Sequence, residues 1–554
     1  MTKLLRNIGA HLARAAEAWP DQPSVVITTG RDGAGRAQYT SRSFAELHAE
    51  AQCIARGLAS AGITRGTRTV VMVKPGLDLF ALFFGLFQAG VVPVMVDPGM
   101  GVRNLKTCLA ESRPEAFIGI PIAHALRVFL GWGRGTIEHR VTVGRRWFWG
   151  GPTLDQVRAA GAEGAALQVE SDPDELAAIL FTSGGTGVPK GVEYTHGNFL
   201  AQVEAIRAMY DIQPGEVNLP TFPLFALFDP AMGMTSVIPD MDATKPAKVN
   251  PERIYEAVRD WNVTTMFGSP ALLDTVGRHG EKHGTKLPTV KRVMSAGAPV
   301  LAPVMERFLG MLGQDAIVVA PYGATESLPV ATLSSREVLG ETRHAADAGG
   351  GVCVGQPVPS IQVAILPIHD DPIDAFEGED VLGVGEVGEI CVKGPQVTRA
   401  YFGRDAATAL AKIADPAGGF WHRMGDLGYL DAQGRLWFCG RKAHRVEAGG
   451  ERWLSIPCES VFSRHPAVKR TALVGISRGG AVEPGLCVEL ELGAVVDESA
   501  LMADLRALGA EHTHTAAIAH FLLHPGFPVD IRHNAKVDRL ALSRWATKRV
   551  GSRR

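Results

Sequence analysis

Apolar positions in the first half of the chain change period repeatedly, and the changes predict alternating helices and strands. Residues 44–61 carry apolar side chains at helical spacing, and residues 69–73 form a short β-branched run. Residues 79–96 are almost wholly apolar, a length that would suit a membrane span. Gln88, Gly90 and Pro93 interrupt them. The pattern therefore predicts a buried helix over 77–89, a stop at Gly90 and a buried strand over 92–96. Further β-type runs fall at 177–181, 263–267 and 290–295. Residues 1–21 read as an amphipathic helix without the continuous apolar stretch or small-residue cleavage site of a secretion signal. Strands alternating with helices imply parallel α/β layers.

The texture changes after Arg441. The run RKAHRVEAGGERW has few core residues and two adjacent glycines. Beyond it, 471–477 and 486–492 read as strands and 498–508 as a helix, a small α+β unit of about a hundred residues. The expected fold class is α/β: a large N-terminal domain of layered α/β subdomains over 1–440, a hinge at 441–443, and a small mobile α+β domain over 444–554. Residues 367–388, rich in charge and turn formers, read as an exposed loop.

Length, at 554 residues, exceeds what one core serves, so several are expected. The formal net charge of −2 argues against an electrostatic nucleic-acid partner. Seven cysteines without a CxxC pair fit reduced thiols in a cytoplasmic protein and no zinc site.

The most specific chemistry lies at residues 182–191, TSGGTGVPKG, just after a β run. Two hydroxyl types, glycines and a lysine suit close approach of backbone amides and a positive charge to phosphate oxygens. No Ser or Thr follows Lys190, so this is not the GxxxxGK[ST] loop. Downstream come SAGAP at 295–299, PYGATES at 321–327, GEVGEICVKGP at 385–395, HRMGDLGYLDAQGRLWFCGR at 422–441 and PVDIRHNAKVDRLAL at 528–542.

In this order, the strings resemble the signatures of the adenylate-forming superfamily of acyl-CoA synthetases, luciferases and peptide-synthetase adenylation domains. The resemblance spans nearly the whole chain and implies ATP and Mg²⁺ as cofactors. It implies catalytic roles for Lys536, Glu326 and Thr182, with Glu326 also holding the metal. It places the nucleotide on Thr182, Ser183, Gly184, Gly185, Thr186, Lys190, Gly297, Ala298, Pro299, Tyr322, Gly323, Thr325, Asp426, Arg441 and Lys536. In those roles Tyr322 stacks on adenine, Thr325 holds a phosphate oxygen and Asp426 accepts from the ribose hydroxyls. The chain departs from the usual pattern at Gly185, where the family commonly has Ser, and at Ala535, where glycine precedes the lysine.

Those motifs imply formation of an acyl-adenylate, not its fate. Ala443 stands where thioester-forming relatives often carry an Asp or Lys pivot, and Pro457 lies seven residues after Gly450, two more than usual. With SGGTG and RHNAK, these features resemble the β-lactone synthetases of bacterial olefin biosynthesis. That resemblance implies a 2-alkyl-3-hydroxy fatty acid that is adenylated and closed by its own hydroxyl, and association with other olefin-pathway enzymes. The alternative is a long-chain fatty acyl-CoA or acyl-AMP ligase. The acyl pocket is expected along 223–234, with Phe225, Phe228, Met232 and Met234 as its lining beside Gly297. His196, His422, His444 and His533 are candidate bases for the hydroxyl.

Overall fold

The computed structural model of the chain describes residues 6–182, 189–528 and 537–551, and every structural statement below concerns those residues. The apolar stretch divides as its interruptions require. Helix Leu77–Gln88 is followed by strand Val92–Met95, and residues 79–88 are buried throughout. The helix packs on helix Phe44–Leu58. Gln88 is tolerated inside because its amide is satisfied, accepting from Gln52 at 2.9 Å and donating to the Gly9 carbonyl at 3.3 Å. No described helix is long and apolar enough to cross a membrane. The N-terminal helix is shorter than its pattern suggested, running Ala10–Ala18. The Asn7 side chain accepts from the Gly9 amide just before it, and Pro20 follows its end.

Two mixed sheets make the large part of the molecule. One has the order His139–Thr142, Ala116–Gly119, Arg68–Met72, Val92–Met95, Leu176–Phe181, Gly191–Thr195, parallel except for its last pair. In the second, Pro23–Arg31, Thr235–Ile238, Val217–Pro220, Thr265–Phe267, Arg292–Met294 and Ile317–Ala324 run parallel. It continues through antiparallel strands including Ser327–Ser334, Val352–Pro357, Leu436–Arg441 and Phe420–Leu430. Residues 367–388 join two strands of this region and are mostly exposed. A separate sheet follows, with Val468–Arg478 and Ala481–Leu490 as a hairpin and His520–Leu523 parallel to the second strand. Its faces bury two apolar clusters built from Phe462, Leu486 and Leu505, and from Ile476, Leu522 and Leu542.

One buried acid stands out in the second sheet. Asp229 accepts from Asn218 Nδ2 at 2.8 Å and Ser236 Oγ at 2.6 Å, so it bridges two adjacent parallel strands. Burial pushes its carboxyl from an ordinary 3.8 up to about 7, although both donors favour the charged form. The folded chain therefore holds a proton there that the unfolded chain releases above about pH 4, so stability from this group falls as pH rises to about 7 and is lost above it. Asp229→Asn removes the titration. Its thermal midpoint relative to the parent is expected to climb between pH 4 and pH 7, by up to about 1.4 kcal/mol of stability per pH unit, and level off above. Parallel melting curves in a pH series check this; a difference independent of pH would contradict it.

Candidate functional site

The glycine-rich segment hangs between strands Leu176–Phe181 and Gly191–Thr195. Ser183, Gly184, Gly185 and Thr186 lie outside the described residues, but the neck of the loop is explicit. The Thr182 amide donates to the Lys190 carbonyl at 2.9 Å, and the Lys190 amide donates to Thr182 Oγ1 at 3.2 Å. Arg404 grips the same neck, donating to the Pro189 carbonyl at 3.1 Å while making two bonds of 2.7 Å to the Glu111 carboxylate. The Phe402 amide donates to the Gly191 carbonyl at 2.7 Å. These bonds close the neck and hold the two ends of the segment together.

Beside the neck lies Glu326. Tyr401 donates its hydroxyl to Glu326 Oε1 at 2.7 Å, and the Lys190 ammonium sits 4.5 Å from the centre of the Tyr401 ring. The second carboxylate oxygen makes no hydrogen bond among the described residues. No group of three or more His, Cys, Asp or Glu among them could cage a metal alone. One carboxylate with an uncommitted oxygen is nevertheless what Mg²⁺ takes when phosphates and water complete its shell, so the donor set fits that ion. Glu326 is positioned by its own backbone: its carbonyl accepts from the Thr398 amide at 2.9 Å and from Thr398 Oγ1 at 3.1 Å. Thr325 is its neighbour at the turn between strands Ile317–Ala324 and Ser327–Ser334, and its carbonyl accepts from Tyr194.

Asp426 and Arg441 face each other across strands Phe420–Leu430 and Leu436–Arg441. The pair lies at 3.0 Å between Arg441 Nη1 and Asp426 Oδ1, and Tyr322 donates to the other oxygen at 2.6 Å. Asp426 is only 3% exposed, and Oδ1 has no donor in hydrogen-bond geometry among the described residues. Burial pushes its carboxyl up and Arg441 opposes that; Tyr322 is held well above the usual phenol range by burial and by Asp426. Gly323, two residues further along the hairpin than Pro321, is required by space: a Cβ there would meet the Ser327 carbonyl oxygen at 2.6 Å. Three residues singled out separately by sequence thus form one cluster.

Gly297, Ala298 and Pro299 follow the carboxyl end of strand Arg292–Met294, the edge where open parallel sheets place ligands. Gly297 has φ 95°, a conformation that favours glycine, and the neighbouring Ser295 Oγ is buried without a partner. Of the expected acyl lining, Phe228 packs on Phe199 with ring centres 5.2 Å apart, and Met232 and Met234 are buried in the main core. The Phe225 side chain lies outside the described atoms. The histidines divide. His196 and His444 are pushed down to about 4 and His422 well below its ordinary value, each chiefly by burial. His533 lies outside the described residues.

Past Arg441 the basic run is latched to the large part of the molecule. Lys442 donates to Glu389 at 3.1 Å and to the His369 carbonyl at 2.7 Å, and Glu389 also pairs with buried Arg423 at 2.7 Å. Arg445 reaches Asp370 at 2.5 Å, whereas Ala443 between them is exposed. Gly449 and Gly450 turn a hairpin of Val446–Ala448 with Glu451–Trp453. Lys536 lies outside the described residues, but the chain after it is anchored. The Arg539 guanidinium holds both oxygens of Glu459, with a bond of 2.9 Å to Oε2, and Glu459 also accepts from the Leu473 amide at 2.8 Å.

Sequence reasoning passed over Tyr401, Arg404 and Lys412. The Lys412 ammonium donates to the Thr398 carbonyl, lies 5.1 Å from the Phe420 ring centre, and is pushed down to about 7 by burial against the opposing pull of Glu326. All three fall between recognised motifs, in residues 398–412. Their one signal was a tyrosine and two cations spaced along a stretch with no core pattern.

The description of AMP-binding enzymes as a family matches residues 12–402. The olefin beta-lactone synthetase of Xanthomonas campestris pv. campestris is 50% identical over 550 residues, covering 98% of both chains. That of Stenotrophomonas maltophilia is 50% identical over 554 residues, covering 99% of both. Among solved structures, an amide bond synthetase from Marinactinospora thermotolerans superposes with a TM-score of 0.77 at 22% identity, over 97% of this chain and 99% of its own. The o-succinylbenzoate coenzyme A synthetase of Bacillus subtilis bound to AMP gives 0.73 at 21%, over 97% and 98%. These likenesses establish the α/β fold of adenylate-forming enzymes. With residues 12–402 matched by that family and two relatives 50% identical over nearly the whole chain, the chain belongs to the family of AMP-binding enzymes.

Proposed function

We propose that this protein is an ATP-dependent olefin β-lactone synthetase acting on a 2-alkyl-3-hydroxy fatty acid. The observation that carries the reading is identity at one position in two, over essentially the full length of both chains, with two olefin beta-lactone synthetases. Relatives whose names end in CoA ligase stand much further away, such as the long-chain-fatty-acid–CoA ligase of Salmonella typhimurium at 27%.

In the first step a carboxylate oxygen of the acid attacks the α-phosphorus of ATP, and pyrophosphate leaves with the electrons of the broken P–O bond. Thr182, Lys190 and the loop between them receive the phosphates, Asp426 takes the ribose hydroxyls, and Tyr322 flanks the adenine. Glu326 would hold Mg²⁺, which neutralises phosphate charge when bound. Lys536 delivers an ammonium to the oxygens where negative charge grows. In the second step the 3-hydroxyl oxygen attacks the acyl carbon, AMP leaves, and the hydroxyl proton passes to an adenylate phosphate oxygen. A four-membered ring forms only from a held geometry, and the enclosed adenylate supplies both that geometry and a good leaving group. We place the pivot between the two half-sites at residues 441–443, between the Asp426–Arg441 pair and the Lys442 and Arg445 latches. The enzyme works in the cytoplasm with other olefin-pathway enzymes.

Mixed with ATP and a synthetic 2-alkyl-3-hydroxy acid, the protein is expected to yield β-lactone, AMP and pyrophosphate by mass spectrometry without CoA. A thioester formed only when CoA is added would overturn the reading in favour of an acyl-CoA ligase. Lys536→Ala should lower acid-dependent exchange of labelled pyrophosphate into ATP by about 10²–10³-fold, with the fold intact. Glu459→Gln leaves Arg539 without its charge partner in a mostly enclosed site. Hydrogen exchange in helix Arg539–Gly551 should then accelerate by an amount equivalent to about 3 kcal/mol, and unchanged protection would count against this anchor.

A further inference from the structure

Helix Pro121–Leu130 presents Ile122, Leu126, Val128 and Phe129 to solvent, with Phe129 77% exposed. A loop on the same side of the first sheet adds Trp147 at 52% and Phe148 at 67%. The two elements form one surface: Trp149 stacks on His124 of the helix, ring centres 5.1 Å apart and planes within 9°, and both Trp147 and Phe148 contact Trp149 at 5.3 Å. The loop is pinned from below. Trp149 donates its indole N–H to Thr142 Oγ1 at 2.8 Å, the Thr142 amide donates to the Pro152 carbonyl at 3.0 Å, and Arg140 donates to the Trp149 carbonyl at 3.4 Å. Two large rings are therefore held outward by a fixed scaffold. Isolated exposed apolar side chains are ordinary; Ile122, Leu126 and Phe129 along one stripe of the helix, with Trp147 and Phe148 on the loop packed against it, mark an interaction surface.

Charge selects the partner. Residues 121–151 contain Arg127, Arg134, Arg140, Arg145 and Arg146 against one acid, Glu138, although the whole chain carries −2. None of these five arginines forms an ion pair with a carboxylate among the described residues, and Arg134, Arg145 and Arg146 are exposed. Aromatic and aliphatic tips flanked by guanidinium groups without carboxylate partners among the described residues match the two layers of an anionic membrane surface: rings enter the boundary of the acyl chains while arginines meet phosphates. The balance of acidic charge elsewhere on the chain orients this face toward such a surface and the remainder away from it.

We propose that the face formed by helix Pro121–Leu130 and residues 144–150 docks the protein peripherally on anionic lipid bilayers. The proposal is independent of which acid the enzyme activates. The full chain is sedimented with phosphatidylcholine vesicles containing roughly one-quarter phosphatidylglycerol, and with phosphatidylcholine alone, at about 0.1 M salt and about 0.5 M salt. Binding to the anionic vesicles is expected, weakened by high salt and weak on neutral vesicles. The double variant Trp147→Ser/Phe148→Ser should reduce partition by about tenfold or more, with pyrophosphate exchange unaltered. Arg145→Glu/Arg146→Glu should abolish the preference for anionic lipid. Both variants alter solvent-exposed side chains, and circular dichroism checks their folding. Parent and variants partitioning alike would overturn the proposal. So would concentration-dependent self-association of the parent that the ring variant abolishes, without vesicle binding, since a second copy would then be the occupant.

Discussion

Charge held inside protein governs the arrangement of this site. Asp426 stands in surroundings that penalise its ionised form, Lys190 and Lys412 stand under the same penalty, and Arg441 opposes the penalty on Asp426. Hydrogen bonds absorb part of it. Tyr401 holds one oxygen of Glu326, Tyr322 one oxygen of Asp426, and the Thr398 carbonyl takes the Lys412 ammonium. These bonds leave Asp426 Oδ1 without a donor in hydrogen-bond geometry among the described residues, with Arg441 Nη1 paired to it at 3.0 Å. A site assembled this way holds its charged groups in fixed positions, as preorganised catalysis requires.

The antiparallel part of the second sheet converts that constraint into geometry. Asp426 and Arg441 are cross-strand partners, so their separation is set by strand pairing and not by two free side chains. The neighbouring hairpin carries Tyr322 on one strand and turns at Thr325 and Glu326 before the next. One sheet thus fixes the proposed ribose acid, adenine-flanking ring and metal carboxylate relative to one another. The phosphate loop comes from the other sheet. Tyr194, from the strand that ends that loop, donates to the Thr325 carbonyl, and the Phe402 and Arg404 bonds tie the loop's neck to the chain entering the Glu326 cluster. These are the contacts that hold the two sheets in register at the site.

Much of this was legible in the chain. Period changes in residues 44–96 located a helix, a strand, a buried helix and another strand, because apolar spacing and a glycine stop are local properties. Motif order singled out Tyr322, Asp426 and Arg441, which the fold brings into contact, because their spacing and neighbours are distinctive. The N-terminal helix was overextended, since apolar periodicity does not register that Asn7 and Pro20 limit it. Tyr401, Arg404 and Lys412 were invisible for another reason: their importance lies in what they touch across the fold. Arg404 meets Glu111 nearly three hundred residues away in sequence, and no window along the chain contains both. The acyl segment falls between these cases. Its apolar residues were evident, but apolarity alone does not separate a pocket wall from the core in which Met232 and Met234 are buried.

The aromatic face of the first sheet and the charged site obey opposite rules. In the site, polar atoms are enclosed and left partly unsatisfied; on the face, apolar rings are exposed and firmly held. Both arrangements lower the stability of the isolated chain relative to a sequence that would bury the rings and pair the charges. Both are also rigid, as the Trp149–His124 stack and the Asp426–Tyr322 bond demonstrate. Rigid violation of the usual distribution of polar and apolar groups requires a partner that restores it. A nucleotide is the partner proposed for the site. For the face, the unpaired arginines beside the rings make the complementary surface both apolar and anionic, a combination that a protein surface rarely presents over a wide area and that a lipid headgroup layer presents everywhere.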